Sequence, residues 1–166
     1  MAKVKIETER LVLRQFKVSD AKDYFEMTQD SAIKEYFPNG LPISKKHAQE
    51  LIKESYAKYE YYLVLESKET HKFVGTIMTI LNEDSEYDLC LMVVAEQRGK
   101  GYITEAIKAF INTFPAGTVF SWEIRNDNEA SLGAVNKIEN VYEVESIFNV
   151  KGYEKYYFRE FKYTVQ

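Results

Sequence analysis

The chain has 166 residues, a length that fits one domain with a sizeable hydrophobic core. Its formal net charge of −4 disfavours a nucleic-acid-binding protein, because such proteins neutralise phosphates with an excess of basic residues. The single cysteine excludes an internal disulfide framework and a cysteine-rich zinc site, and the two histidines lack the H-E-x-x-H spacing of catalytic zinc, so we expect no metal.

The sequence predicts neither a signal segment nor a membrane helix. The N-terminus leads into alternating charged residues without an apolar signal core. The longest apolar run, Leu89–Ala95, is far shorter than the roughly 20 residues that cross a bilayer. We therefore predict a soluble, cytoplasmic protein without a membrane partner, folded as one domain over residues 1–166.

The first third of the chain is predicted to form a strand followed by helices. Leu11 and Leu13 alternate with Arg10, Val12 and Arg14, and this pattern indicates a strand, which we predict over Ile6–Phe16. Ser19-Asp20 and Ser44 are suited to cap the helices that follow them. The helical segments are Ala21–Thr28, the short piece Ser31–Tyr36, and Lys45–Tyr59, with a loop over the Pro- and Gly-containing segment 37–42.

Strands and two further helices are predicted over the remaining residues. The clearest helix carries a single apolar stripe formed by Ile103, Ala106, Ile107, Phe110, Ile111 and Phe114. A short helix is expected at Ala130–Lys137. The predicted strands are Tyr61–Glu66, Phe73–Leu81, Tyr87–Val94, Val119–Ile124, Glu143–Val150 and Lys155–Thr164, the last two joined at Lys151-Gly152. This order indicates a mixed α/β fold with a meander and at least one strand–helix–strand crossover.

The turn before the long apolar helix is suited to bind phosphate groups. A helix N-terminus presents unpaired N–H groups and a partial positive charge. Gly99 and Gly101 leave that backbone open, and Arg98 and Lys100 add positive charge. The segment is neither a P-loop nor a dinucleotide fingerprint, which would need a glycine in place of Thr104. The glycines alone are equally compatible with a turn that merely enters a helix.

Three segments of the chain resemble one protein family. Arg98–Tyr102, followed by Thr104-Glu105-Ala106, is similar to the acyl-CoA-binding motif of the GNAT N-acetyltransferases. Thr8–Arg14 resembles the first strand of the ribosomal-protein N-terminal acetyltransferase-like branch, and Asn126–Ser131 resembles its second signature. The resemblance implies the GNAT fold, in which helices flank a central, mostly antiparallel, twisted sheet with splayed strands at the CoA site.

The resemblance also implies where acetyl-CoA binds. The strand before the turn would bind the pantetheine arm, and the turn with the helix start would wrap the pyrophosphate. Asn128 would contact the pantetheine or brace the splayed strands, and Ser131 would place a hydroxyl near the CoA sulfur. The cofactor-binding residues predicted in this way are Met92, Val93, Val94, Arg98, Gly99, Lys100, Gly101, Tyr102, Ile103, Thr104 and Asn128.

The sequence departs from the family pattern at three places. Ile103 stands where family members usually have Gly or Ala. Asp88–Leu91 replaces a Glu-Ile-Gly-Tyr-like run, and Lys137–Asn140 replaces a Lys-Leu-Gly-Phe-like ending. These differences affect the geometry of catalysis more than CoA binding. They give weight to one alternative function, a CoA-binding sensor or partner domain without catalysis.

Acetyl transfer to an amine makes definite demands on side chains. A primary amine is mostly protonated at neutral pH, so a base or a water chain must take a proton before attack. Asp88, Glu86 and Glu123 are the candidate bases, although a carboxylate at a strand end is more often a solvated charge. A backbone N–H near Val93 is suited to the oxyanion, and Ser131 to the leaving thiolate. Our predicted catalytic residues are Ser131, Asp88 and Glu86.

These observations predict an N-acetyltransferase that moves acetyl from acetyl-CoA to a primary amine. Direct attack in a ternary complex is expected, because no activated cysteine is evident to carry the acyl group. A protein N-terminus is the favoured acceptor, and a small amine is the second. Tyr36, Phe37 and Pro38 are candidates for the acceptor pocket. Homodimers are common in the family, but no exposed apolar segment identifies an interface.

Overall fold

The computed structural model describes residues 4–37, 40–148 and 155–166. The strands are β1 Lys5–Glu7, β2 Leu11–Gln15, β3 Tyr61–Ser67, β4 Phe73–Leu81, β5 Tyr87–Val93, β6 Val119–Arg125, β7 Tyr142–Phe148 and β8 Phe158–Thr164. They form one eight-stranded sheet in the order β1-β2-β3-β4-β5-β6-β8-β7. Within the described residues every neighbouring pair is antiparallel except β5–β6.

Helices cover both faces of this sheet. They are α1 Ala21–Met27, α2 Ser31–Tyr36, α3 Lys45–Lys58, α4 Tyr102–Ile111 and α5 Glu129–Val135. Side chains alternate between the faces along each strand, so Leu63 and Leu65 of β3 join the core with α4 and α5. Val64 instead joins a second core with α1, α2 and α3. The mixed α/β architecture with a mostly antiparallel sheet flanked by helices is confirmed.

Helices α4 and α3 follow the sequence prediction closely. The apolar stripe of α4 faces the sheet, and Ala106, Ile107, Phe110 and Ile111 are buried. Ser44 caps α3, since its side chain accepts a hydrogen bond from the His47 N–H at 3.1 Å. Periodicity and capping were therefore sufficient to place these elements.

The single strand predicted over Ile6–Phe16 was wrong, because the chain turns back at Thr8–Arg10 and forms β1 and β2. Thr8 Oγ1 accepts a hydrogen bond from the Leu11 N–H at 2.8 Å, and the Thr8 N–H donates to the Leu11 carbonyl at 2.9 Å. These hydrogen bonds give the backbone N–H groups of Thr8 and Leu11 partners within the turn itself. The alternation that indicated the strand is confined to β2, and the polar run Glu7–Arg10 that interrupts it is where the chain reverses.

Asp20 occupies the predicted N-cap position of α1, but its side chain makes no capping hydrogen bond to this helix. Its carboxylate accepts a hydrogen bond from the Lys17 N–H at 2.7 Å and pairs with Arg14 Nη1 at 2.8 Å. A 3₁₀ turn over Val18–Asp20 leads into the helix instead. The carboxylate therefore joins the start of the helical layer to β2.

The C-terminal strands β7 and β8 pair as predicted, and the predicted turn at Lys151-Gly152 lies outside the described residues. Within the described ranges, none of the helices combines the length and the apolar character required to cross a bilayer.

Strands β5 and β6 pair over only a short stretch. The paired residues are Tyr87 with Phe120 and Asp88 with Ser121. After these residues no further pairing joins the two strands, and they separate, as the family resemblance implied. β5 remains fully paired to β4 on its other side. The gap between β5 and β6 is what positions the candidate site.

Candidate functional site

A cavity of about 610 Å³ lies where β5 and β6 separate. This volume is in the range of small-molecule sites. The turn over residues 97–104 and the start of α5 line one end. Helix α2 lines the other end together with Glu123 and Arg125. Because α5 and α2 pack on opposite faces of the sheet, the cavity connects the two faces.

Two glycines shape the turn before α4. Gly99 and Gly101 have φ angles of +74° and +80°, in the left-handed region that residues with a Cβ rarely adopt. Gly101 is also the N-cap residue of α4. No group in the described part of the chain accepts a hydrogen bond from the N–H groups of residues 99–104. These free donors and the helix dipole are suited to an anion such as a pyrophosphate.

A carboxylate in the first turn of α4 fastens this helix to the β1–β2 turn. Glu105 Oε1 accepts from Thr8 Oγ1 at 2.5 Å and from the Arg10 N–H at 2.9 Å, and Oε2 accepts from Arg10 Nε at 2.6 Å. Arg10 Nη1 donates to the Lys100 carbonyl at 2.9 Å, and its guanidinium lies 4.6 Å from the Tyr102 ring centre. Burial alone would raise the pKa of Glu105, but these hydrogen bonds outweigh burial and lower it.

Most of the predicted cofactor-binding residues line the cavity. They are Met92, Val93, Arg98, Gly99, Gly101, Tyr102, Ile103, Thr104 and Asn128. Val94 and Lys100 do not line it: Val94 packs against the core beneath α1, α2 and α3. Lys100 Nζ donates to Gln97 Oε1 at 2.9 Å. Ile103, the bulky departure from the family pattern, is part of the cavity wall.

Helix α5 begins in the cavity wall. Its N-cap residue is Asn128, whose Oδ1 accepts a hydrogen bond from the Ser131 N–H at 3.1 Å. Both residues line the cavity. The Ser131 hydroxyl makes no hydrogen bond to any residue that the structure describes. The hydroxyl predicted to serve the leaving thiolate is therefore at the cavity and available to a ligand.

Two of the predicted catalytic carboxylates, Asp88 and Glu86, are not in the cavity wall. Asp88 lies before the strands separate, and its Oδ1 accepts from Asn82 Nδ2 at 3.0 Å and from the Ser121 hydroxyl. Glu86 Oε1 forms an ion pair with Lys162 Nζ at 2.8 Å. Strand register decides both placements, and the sequence pattern did not reveal that register.

The third candidate base, Glu123, does line the cavity. It lies directly opposite Glu160 in the β6–β8 pair. Burial raises the pKa of the Glu123 carboxyl, and the negative charges of Asp88 and Glu160 raise it further. A carboxylate with a raised pKa is a stronger base at neutral pH than an ordinary glutamate. The geometry favours this residue over the other two as a proton acceptor.

Cys90 also lines the cavity, on the strand beside the gap. Burial raises the pKa of its thiol to about 12. At neutral pH the side chain is therefore the neutral thiol and not the nucleophilic thiolate. This agrees with the expectation that no activated cysteine carries an acyl group.

The turn is also tied to α2 by an ion pair that the sequence did not reveal. Arg98 Nη2 donates to Asp30 Oδ1 at 2.7 Å. The same oxygen accepts the Ile33 N–H at 3.1 Å, which makes Asp30 the N-cap residue of α2. The hydrogen bond from Arg98 lowers the pKa of Asp30. An acidic residue directly before Ser31 is a cap signal, but its long-range partner has no sequence signal.

A buried arginine, also missed from the sequence, joins α2 to the end of β6. Arg125 is 5 % exposed, and its guanidinium donates to both carboxylate oxygens of Asp127, at 2.5 and 2.9 Å. It also donates to the Glu35 carbonyl at 3.1 Å. The rings of Tyr36 and Tyr156 have their centres 4.6 and 3.8 Å from it. The end of β6 thus carries a buried cation that is held by Asp127 and by α2.

Helix α2 forms the wall next to this arginine. Ala32, Ile33, Tyr36 and Phe37 line the cavity there. Two of the three residues predicted for an acceptor pocket, Tyr36 and Phe37, thus line the cavity, and Pro38 lies outside the described residues. This end of the cavity is mostly apolar and aromatic, with Glu123 as its acidic group.

Comparison with known proteins identifies related sequences and folds. The family model described as Acetyltransferase (GNAT) domain matches residues 10–139. No curated protein matches the chain. The structure of the chain resembles that of the acetyltransferase (GNAT family) from Bacillus anthracis, at 19% identity and a TM-score of 0.79, over 98% of both chains.

Two further solved structures have the same fold. One is RimL, a ribosomal L7/L12 alpha-N-protein acetyltransferase, at 11% identity and a TM-score of 0.79, over 98% of this chain and 95% of that chain. The other is spermidine N-acetyltransferase from Vibrio cholerae, in complex with CoA and spermine, at 15% identity and a TM-score of 0.76, over 93% of this chain and 95% of that chain.

Proposed function

Because this chain belongs to the GNAT acetyltransferase family, whose model covers residues 10–139, we propose that it transfers acetyl from acetyl-CoA to a primary amine by direct attack. The observation that carries the proposal is the cavity between β5 and β6, which joins an anion-binding turn on one face to Glu123 on the other. A donor and an acceptor entering from opposite faces meet in that gap. Such placement removes much of the entropic barrier to reaction.

The donor end suits the chemical parts of acetyl-CoA. The free N–H groups of residues 99–104 and the start of α4 are suited to the pyrophosphate. The unpaired edge of β5, beyond Asp88, offers backbone groups to the pantetheine arm, and Met92 and Val93 line the cavity there. The Val93 N–H is the donor we assign to the oxyanion that develops on the thioester carbonyl.

Glu123 is the group that we assign as general base. It lines the cavity, and its raised pKa makes it a better proton acceptor than an ordinary glutamate. The freed amine then attacks the thioester carbonyl, the new C–N bond forms, the C–S bond breaks, and the second proton of the amine passes to the departing thiolate through a hydroxyl or a water. Asp88 and Glu160 act on this step indirectly, by keeping negative charge beside Glu123.

Ser131 is the group that we assign to the leaving thiolate. Its hydroxyl is at the cavity without a protein partner in the described residues, and Asn128 fixes the backbone that carries it. A thiolate is a weak base, with a reference pKa of about 8.5, so a hydroxyl or a water is sufficient as a proton source. The neutral thiol of Cys90 supports direct transfer without an acyl-cysteine.

The acceptor is either a protein N-terminus, which we favour, or a small amine. The negative charge of Glu123 at the acceptor end favours a cationic amine of either class, whereas Asp127 and Glu35 lie outside the cavity wall and are paired with Arg125. The structurally similar proteins include one named for a ribosomal protein and one named for spermidine.

Thiol release from acetyl-CoA tests this function directly. The protein is incubated with acetyl-CoA and one acceptor at a time. The acceptors are peptides with a free N-terminus, peptides with a blocked N-terminus, and spermine. The mass of each acceptor is then measured by mass spectrometry. We expect thiol release above the acceptor-free rate together with one added acetyl group on the acceptor. CoA binding without turnover on any amine would favour the sensor function, and absent CoA binding would contradict both.

A further inference from the structure

The ion pair between Arg98 and Asp30 links the two ends of the cavity. Arg98 belongs to the anion-binding turn and lines the cavity at the donor end. Asp30 precedes α2, which lines the acceptor end. Their 2.7 Å hydrogen bond joins segments that are 68 residues apart in sequence. It thus connects the donor site to the acceptor wall through two side chains.

One carboxylate oxygen of Asp30 has two functions. Oδ1 accepts the Ile33 N–H at 3.1 Å and so caps α2, and it also accepts Arg98 Nη2. A six-residue helix is marginal without its cap and tertiary contacts. Any change in the position of Arg98 therefore acts on the oxygen that fixes the first turn of α2.

Arg98 has donors to spare for a ligand. Its guanidinium carries five N–H groups, and the hydrogen bond to Asp30 uses one of them. The side chain is 39% exposed, so an anion at the turn can reach it without breaking the contact with Asp30. A phosphate oxygen and the Asp30 carboxylate can therefore be bound by the same guanidinium.

We propose that Asp30 is a positioning residue that couples acetyl-CoA binding to the placement of α2, and thereby of the acceptor wall. A phosphate bound at the turn restrains Arg98, Arg98 restrains Asp30, and Asp30 restrains α2 with Ile33, Tyr36 and Phe37. Donor binding thus prepares the acceptor end of the cavity. The proposal rests on the proposed function, because it requires acetyl-CoA at residues 98–104.

The chain offers variants that separate the two functions of Asp30. Asp30→Asn keeps an oxygen that can cap α2, since Asn and Asp are comparable N-cap residues, but it removes the charge that holds Arg98. Asp30→Ala removes both the cap and the ion pair. Asp23→Asn removes an exposed carboxylate from α1 and is the matched control.

Hydrogen exchange of the amides of residues 31–37, measured with and without CoA, tests the coupling without an acceptor. In the wild-type and Asp23→Asn proteins, we expect CoA to slow exchange at the Ile33 amide by about fivefold or more, in keeping with typical coupling between sites. In Asp30→Asn, we expect that slowing to disappear while calorimetry still detects CoA binding. In Asp30→Ala, the Ile33 amide should exchange fast both with and without CoA.

The proposal and the proposed function fail in distinguishable ways. Equal slowing in Asp30→Asn and wild type, or no slowing in wild type despite calorimetric binding, overturns the coupling and leaves the acetyltransferase function intact. Absent CoA binding to the wild-type protein overturns both. With an amine that the wild-type enzyme acetylates, Asp30→Asn should also raise the acceptor KM at least threefold at saturating acetyl-CoA. A purely structural loss would instead lower the amount of folded enzyme and reduce kcat at constant KM.

Discussion

The carboxylate of Glu105 lies against the guanidinium of Arg10, with Arg10 Nε 2.6 Å from Glu105 Oε2. The Arg10 N–H and the Thr8 hydroxyl bond the other oxygen of the same carboxylate. The contact joins the β1–β2 turn to the first turn of α4, directly beside the anion-binding turn. The turn that we assign to the phosphate groups of CoA is therefore braced by residues about 95 positions away in sequence.

Replacing Glu105 with Gln should destabilise the fold in a pH-dependent way. The variant loses a charged partner of Arg10, and because Arg10 is partly exposed we expect a cost of about 1 kcal/mol at pH 7. The pKa of Glu105 is lowered in the folded state, so its stabilisation is present above the ordinary glutamate pKa of about 4.3 and is lost as the pH falls through the lower folded-state value. Urea unfolding between pH 7 and pH 3 measures this.

The exposed Glu96 supplies the control for that experiment. Glu96→Gln should change the free energy of unfolding by less than about 0.5 kcal/mol at pH 7. The difference in the free energy of unfolding between wild type and Glu105→Gln should decrease towards low pH. A difference that is constant over the whole pH range would contradict the assigned hydrogen bonds.

Glu123→Gln should remove the proton acceptor from the cavity. We expect kcat to fall by about 100-fold or more, the usual contribution of a general base. In the wild-type enzyme the base must be ionised, and its pKa is raised, so the low-pH limb of the rate profile should have its midpoint above about 4.3. This limb should be absent from the Glu123→Gln profile.

Glu160→Gln should shift the low-pH limb of the rate profile to lower pH without removing it. The substitution deletes one negative charge facing Glu123, which lowers the Glu123 pKa and shifts the midpoint to lower pH. Rates measured over pH 4–9 with saturating acetyl-CoA check both variants. An unchanged profile in Glu123→Gln would return Asp88 to consideration as the base.

Ser131→Ala should separate chemistry from binding. The hydroxyl has no partner among the described residues, so its loss leaves the fold unstrained. We expect a kcat about tenfold lower, because a water is a sufficient but less well-placed proton source for the thiolate. Calorimetry should give a CoA Kd within about threefold of wild type. If the Kd for CoA rises by the same factor as kcat falls, the Ser131 hydroxyl contributes to CoA binding and not to the chemical step.

Gly75→Ala should be destabilising for a reason visible only in three dimensions. A Cβ on Gly75 would lie 2.2 Å from the Met92 carbonyl oxygen, on the part of β5 that lines the cavity. The strand would have to shift, at a cost of about 1–3 kcal/mol. Gly133→Ala, in open space within α5, should instead stabilise by about 0.5–1 kcal/mol. Thermal unfolding of both variants shows whether each substitution raises or lowers stability. Equal changes in stability would contradict the close approach of Gly75 to the Met92 carbonyl.

Local signals sufficed for most of the fold. The apolar stripe of α4 and the cap at Ser44 depend on residues within one or two helical turns, so the sequence contains all the information needed. The reversal at Thr8–Arg10 is closed by local hydrogen bonds between Thr8 and Leu11, and its second support, Glu105, comes from a distant helix. Local alternation cannot report a partner that only the folded chain brings near.

The same distinction applies to the site. The donor end is formed by the segment from β5 to the start of α4 and by the start of α5, and each of these segments carries a short motif that can be found in the sequence. The acceptor end is assembled from α2, β6 and the start of β8, and its charged groups depend on register. Glu123 and Asp88 look alike in sequence, yet one faces the cavity and the other binds Ser121. Asp30 and Arg125 acquire their importance only from long-range ion pairs.

Calorimetric titration of CoA into Gly101→Glu and Gly117→Glu, beside the wild-type protein, tests the central claim most directly. Both glycines have a positive φ, +80° and +88°, so the two variants bear the same backbone strain, but only Gly101 lines the cavity. We expect Gly117→Glu to bind CoA as the wild type does. Gly101→Glu should bind at least about tenfold more weakly, because its carboxylate crowds and repels the pyrophosphate. Equal affinity in all three proteins, or no binding by the wild type, would contradict the assignment of this cavity to acetyl-CoA.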